Sequence, residues 1–175
     1  MRNFISFLLF IFSLNLLRAQ ETRLLRDPDI SATKIVFTYA NDLWTVDKAG
    51  GVAQRLTSFP GTETSPRFSA DGKSFAYELN IRWDGEWRNY RGGQNKPIWI
   101  LDLQNYEVKK IPFTNSHDME PIWMGNKIYF LSDRDFGMNV WSYDTENEKV
   151  EQLTFLSDYD IKNLSGSNNT LIYEY

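Results

Sequence analysis

The sequence predicts an all-β protein made of repeated strand–turn–strand units, and three observations carry that expectation. A tryptophan-centred strand is spelled three times, as "LWTV", "IWIL" and "VWSY" around Trp44, Trp99 and Trp141. Each Trp is followed three residues later by Asp47, Asp102 or Asp144, and twelve residues later by Leu56, Ile111 or Leu153. No insertion disturbs that spacing, as expected of hairpins whose register is fixed by their turns. Gly, Asn and Asp clusters punctuate the short β-rich runs, and the chain after residue 19 carries no convincing amphipathic helical period.

The first residues stand apart from the repeat. Arg2 precedes an apolar run from Phe4 to Leu17, interrupted only by Ser6, Ser13 and Asn15, and the small residue Ala19 follows. This is the pattern of a secretory signal peptide over residues 1–19, cut after Ala19. The 14-residue run is shorter than the roughly 20 a transmembrane helix needs, so no stable membrane span is expected after cleavage. The sequence therefore predicts export to the periplasm or the extracellular space. Residues 20–175 suffice for one domain with its own core.

Within that domain each unit offers four short strands. "KIVF" (34–37) precedes the first Trp strand. Pro66 and Pro121 each lie 22 residues after their Trp, in "PRF" and "PIW". Gly-containing turns, "SADGK" and "MGNK", lead on into "SFAY" (74–77) and "KIYF" (127–130). The units fall at about residues 34–72, 73–125 and 126–169, and "TLIYEY" (170–175) starts a further strand. The Trp spacings of 55 and 42 lie near the period of about 40–45 that marks four-stranded propeller blades. The predicted architecture is a partial β-propeller of about three blades. Each blade buries its faces only against two neighbours, so three blades leave open faces, and self-association is expected.

The three repeated aspartates have a local explanation. An Asx side chain at a strand end accepts a backbone hydrogen bond two residues on and starts the turn. Gly50 and Gly51 relax the backbone in the first copy, and Asn105 and Asn147 do similar work in the others. Trp44, Trp99, Trp141, Asp47, Asp102 and Asp144 are thus read as structural positions of the repeat.

The longer Trp spacing has a visible cause, a 20-residue insert "ELNIRWDGEWRNYRGGQNKP" between "SFAY" and "IWIL". Here Trp83, Trp87 and Tyr90 interleave with Arg82, Arg88 and Arg91 before Gly92 and Gly93. Trp, Tyr and Arg suit packing on a neighbouring blade or a domain–domain interface. Together they also grip peptides by stacking and carboxylate pairing. These six residues are the binding candidates.

The chain from "LLRDPDISATKIVF" to "SPRFSADGKSFAY" resembles the first propeller blade of the tricorn-type serine peptidases. "WRNYRGGQNKPIWILDL", "PIWMGNKIYFLSDRD" and "MNVWSYDTENEKVEQLTFLSDYDIK" resemble later blades of the same N-terminal propeller. The strand-and-turn pattern alone would fit any TolB-like or PD40-repeat protein; the "YRGG" insert, "FLSDRD" and "QLTF" narrow it. The resemblance implies a six-bladed propeller, so this chain is expected to be internally shortened by about two blades, on the order of 80–100 residues. It also implies a second propeller, a PDZ domain and a peptidase core, so C-terminal truncation is expected.

Composition bounds the chemistry. The net charge is −4, and removing Arg2 and Arg18 with the leader takes it to −6, which disfavours nucleic acid as a partner. There is no cysteine, so disulfides, thiolate metal sites and cysteine nucleophiles are excluded. His117 is the single histidine, in "TNSHDMEP", and no G-x-S-x-G elbow exists. A triad of His117, Asp118 and a serine is weighed against a solvated turn, and the turn is preferred. Asp133 and Asp135 start loosely like a calcium loop but lack the later ligands. No catalytic residue, metal or cofactor is expected. The implied function is a non-catalytic propeller segment of an exported tricorn-like peptidase, with peptides or the protease domains of the same or a related chain as partners. The alternative is a free-standing TolB-like periplasmic protein-binding module.

Overall fold

The computed structural model describes residues 24–80, 89, 91–93 and 95–175. The leader assigned to residues 1–19 lies outside the described residues, as do Arg82, Trp83, Trp87, Arg88 and Tyr90. The described chain is all-β, and its strands follow one another as antiparallel meanders. The first sheet holds β1 (Arg26–Ile30), β2 (Lys34–Tyr39), β3 (Asp42–Asp47) and β4 (Gln54–Arg55). The second holds β5 (Thr62–Phe68), β6 (Ser74–Asn80), β7 (Ile98–Asp102) and β8 (Val108–Lys110). The third holds β9 (Asp118–Met124), β10 (Lys127–Asp135), β11 (Gly137–Asp144) and β12 (Val150–Gln152). A two-stranded sheet follows, β13 (Lys162–Ser167) with β14 (Thr170–Glu174).

These sheets divide the chain one strand earlier than the units at 34–72, 73–125 and 126–169. The strand carrying Pro66 pairs with "SFAY" in β6, not with the hairpin before it, and β9 with Pro121 pairs likewise with β10. The first sheet gains β1, "RDPDI", a polar segment without the alternation of a strand with one buried face. Thr170–Glu174 does not start a sheet. It is the second strand of its pair, with Lys162–Ser167 upstream as its partner.

Three cores hold the sheets face to face, each shared by consecutive sheets. Val36 and Leu43 of the first sheet pack with Phe68, Phe75, Tyr77 and Leu101 of the second. Ala76, Ile98 and Ile100 pack with Ile128, Phe130 and Tyr143 of the third. Leu131, Met138 and Val140 pack with Ile161 and Leu164. Neighbouring residues of one strand therefore serve opposite cores, which is why "SFAYEL" and "KIYFLS" read as continuous apolar runs. Fully burying a side chain of this size stabilises by about 1.5–3 kcal/mol.

The first strand of every sheet carries a bulge at one left-handed residue: Asp27 (φ 48°), Ser65 (φ 53°), Glu120 (φ 53°) and Asn163 (φ 54°). Proline follows the first three, as Pro28, Pro66 and Pro121, and a residue without an N–H suits a place where the ladder is broken. Such backbone costs on the order of 1–3 kcal/mol per site and persists only where its surroundings hold it. Carboxylates of the preceding sheet do part of that holding. Asp29 Oδ2 accepts from the Phe68 N–H at 2.6 Å, Glu78 Oε1 from the Glu120 N–H at 2.9 Å, and Glu120 Oε2 from the Leu164 N–H at 2.7 Å.

Candidate functional site

In an up-and-down meander the turn between second and third strands lies at the same end as the connector to the next sheet. That end gathers the insert between β6 and β7, the Phe136 turn between β10 and β11, and the connectors 56–61 and 111–117. Of the six binding candidates, Arg91 is the one among the described residues. It sits at the base of the insert and binds the third sheet. Its Nη1 donates to Asp133 Oδ2 at 2.9 Å, and its Nη2 to the Asp133 carbonyl at 2.6 Å. The guanidinium also lies 5.1 Å over the exposed ring of Phe136.

Asp133 is the hub of this junction. Its side chain is fully buried, and besides Arg91 it accepts from the Asn89 N–H at 2.5 Å and the His117 N–H at 2.8 Å. One carboxylate thus joins the insert, the connector into the third sheet and β10. Asparagines close the same ring: Asn115 Nδ2 donates to the Arg91 carbonyl at 2.6 Å, and Asn95 Nδ2 to the Asn115 carbonyl at 2.7 Å. The calcium-loop resemblance of Asp133 and Asp135 is explained away, because Asp133 is occupied by N–H donors and an arginine. Its segment is the end of β10 and a tight turn with Phe136 at φ 64°.

A second ion pair is made by the next residue of β10, Arg134. Asp118, also fully buried, accepts from Arg134 Nη2 at 2.7 Å, Ser132 Oγ at 2.7 Å and Ser116 Oγ at 3.1 Å. Burial pushes its pKa up, against the opposing pull of Arg134 and the two hydroxyls. The run "SDRD" therefore uses alternating sides of β10, with Asp133 reaching to the insert and Ser132 and Arg134 to Asp118. His117 is not in a solvated turn. It is 1% exposed, and burial lowers its pKa. An imidazole closed off in this way, beside an aspartate committed to Arg134, does not offer a substrate a nucleophile–base pair.

The repeat positions sit at equivalent places in three sheets. Trp44, Trp99 and Trp141 lie opposite Phe37, Tyr77 and Phe130 on one side, and opposite Arg55, Lys110 and Gln152 on the other. Aromatic cross-strand pairs of this kind contribute roughly 0.2–1 kcal/mol each. The twelve-residue spacing is a hydrogen bond. The Leu56, Ile111 and Leu153 N–H groups donate to the carbonyls of Leu43, Ile98 and Val140, each just before its Trp, at 2.8, 3.0 and 2.9 Å. Asp102 and Asp144 each accept from the N–H two residues on, Gln104 at 2.7 Å and Glu146 at 2.9 Å. Asp47 differs, pairing with Lys34 Nζ at 3.0 Å while its carbonyl accepts from the Gly50 N–H.

Sheets stacked through shared cores, each with a bulged first strand and the three four-stranded ones with an aromatic-paired third strand, define a β-propeller segment. The chain belongs to the tricorn protease N-terminal beta propeller domain family, whose model matches residues 22–82 and 73–175. It is similar to the tricorn protease of Thermoplasma acidophilum, 29% identical over 87 residues that make up 50% of this chain and 8% of that protein. It is also similar to the Tol-Pal system protein TolB of Francisella tularensis subsp. mediasiatica, 31% identical over 116 residues, 66% of this chain and 24% of that one. The crystal structure of TolB from Acinetobacter baumannii shares the fold, with a TM-score of 0.64 and 24% identity over 86% of this chain and 40% of that chain. The chain thus spans a quarter or less of the length of either named relative. Among the described residues, no helix is long and apolar enough to cross a membrane.

Sequence reasoning singled out Arg91 but not its partner as a partner. Asp118 entered it only as a triad member beside His117, and Arg134 and Asn115 escaped it altogether. The one signal available was the density of charge in "FLSDRD" at the end of an apolar strand, where charges go under only in pairs.

Proposed function

We propose that this chain acts as a non-catalytic propeller segment of an exported tricorn-like serine peptidase, guiding peptides or packing on the protease core. Family membership supports the class of assembly. The observation that carries the reading is the buried Asp133 anchor, which fixes the base of an Arg- and aromatic-rich insert on the loop end of the sheets. A surface that holds peptides or a neighbouring domain needs such side chains on a rigid support. Similarity to TolB favours a second reading, a free-standing periplasmic module that binds other proteins. The exposed Phe155 and Ile172 support self-association of the isolated chain.

The test is fluorescence anisotropy of a fluorescein-labelled unstructured peptide titrated with the full chain. Saturable binding that weakens at least fivefold in Arg91→Ala, with no cleavage of the peptide, is the expected result. Absence of binding would overturn peptide guidance, and hydrolysis of the peptide would overturn the non-catalytic assignment.

A further inference from the structure

A cleft of about 390 Å³ opens between the first two sheets, and none of its lining residues belongs to the Arg91 junction. The connector after β4 forms one wall with Leu56 and Phe59, and the face of the second sheet forms the other with Tyr77, Leu79 and Trp99. Glu63 of β5 lines it too. This glutamate is 1% exposed, and its Oε2 has no hydrogen-bond partner. Its remaining polar groups are committed: the N–H donates to the Asn41 carbonyl, the carbonyl accepts from Thr38 Oγ1, and the carboxyl takes the Thr57 hydroxyl. An orphaned carboxyl oxygen is costly in a site this apolar unless something meets it.

The surrounding charges say what would meet it. From the first sheet, the buried Asp42 faces Glu63 and is paired with Arg55 at 3.0 Å. Arg55 is thus committed to Asp42 and acts on Glu63 only at longer range, which leaves the Glu63 charge without an ion-pair partner among the described residues. Tyr77 of β6 supplies a phenol and no cation. Lys110 lies 4.4 Å over the Trp99 ring, so the ring already hosts an ammonium.

We propose that this cleft is a binding site for an organic cation, an ammonium or guanidinium group on an apolar stem, with Glu63 meeting the charge and Phe59, Leu79 and Trp99 the stem. Without ligand a proton does the neutralising. Burial, helped by Asp42, pushes the Glu63 pKa up to about 7. Ligand and proton then compete for the same carboxylate, and the affinity scales with the deprotonated fraction. This site goes beyond the peptidase reading and does not depend on it.

The probe is phenethylammonium, with phenethyl alcohol as its neutral counterpart, titrated into the full chain and followed by NMR at the Trp99 indole N–H and the Tyr77 and Leu79 amides. At pH 8 the cation is expected to give saturable shifts there and to bind at least tenfold more tightly than the alcohol. Between pH 8 and pH 5.5 its affinity falls about 30-fold, the ratio of deprotonated Glu63 at the two pH values. Glu63→Gln removes the preference for the cation at pH 8. If that variant fails to fold, the pH series and the alcohol comparison on the unaltered protein decide alone. No saturable shift at the cleft, equal affinity for the alcohol, or affinity independent of pH overturns the proposal.

Discussion

The acids of the repeated hairpins and the buried acids Asp133 and Asp118 perform different kinds of work. Asp102 and Asp144 sit at hairpin turns and bind backbone two residues away. Asp133 and Asp118 are fully buried, and their partners lie up to 44 residues away in sequence. The first kind shapes a turn that water could largely satisfy in its absence. The second kind replaces water altogether and ties separate loops into one surface. A repeated acid here means local geometry, and an unrepeated buried acid means a junction between elements.

That contrast predicts an order of effects. Asp133→Ala should be the most damaging, because it strands two backbone N–H groups in a buried site and takes the carboxylate partner from the half-buried Arg91 guanidinium. A loss of about 3–5 kcal/mol in urea denaturation is expected for breaking a buried pair of this kind. A loss under about 1 kcal/mol would mean that water already serves the junction, as it does a surface pair.

Glu63 comes next and acts through pH. Its folded pKa of about 7 lies above the 4.5 of an unburied glutamate, so between those values the folded state binds more protons than the unfolded state. Stability should therefore fall as pH rises from about 4.5 to 7, by roughly 3 kcal/mol for this group. Glu78 and Asp118, raised in the same direction, add to the trend, whereas His117, lowered by burial, opposes it near its own pKa. The difference between the unaltered chain and Glu63→Gln, measured by thermal or urea melts at pH 5 and pH 8, isolates the Glu63 share. A difference that does not change with pH would contradict the burial argument.

The smallest effects belong to the turns. Asp102→Ala should cost about 1 kcal/mol, one side-chain hydrogen bond to backbone. Asp47→Ala should cost less than about 0.5 kcal/mol, since its exposed pair with Lys34 is screened by solvent. Equal losses at the two positions, read from urea midpoints, would show that the first hairpin uses an Asx turn after all.

Much of the fold was legible because its information is local. The Trp strand, the turn three residues on and the closing aliphatic twelve residues on form one hairpin, and hairpin register is written in a short window. Sheet membership was less legible. Nothing local in "TETSPRF" says whether it pairs forward or backward, and the bulge at Ser65 disguises its alternation. In "RDPDI" the cue is weaker still, because its acid Asp29 is there to hold the Phe68 N–H of the next sheet. The site was legible as a place and not as a mechanism. Arg and aromatic density marked the insert, but that Arg91 would find Asp133 depends on the third sheet stacking beside the second. Glu63 gave no sign at all, since a glutamate in a strand near a turn reads as solvated.

Asp133 fastens the base of the insert and the 111–117 connector to the third sheet. Amide hydrogen exchange at Asn89 and His117 tests it directly, because both N–H groups donate to that one carboxylate. Both amides are expected to be protected in the unaltered chain and to lose protection together in Asp133→Ala, while the Gln104 and Glu146 amides at the hairpin turns keep their rates. Exchange of the Asn89 amide at the free-peptide rate in the unaltered chain, or protection that survives in the variant, would contradict it.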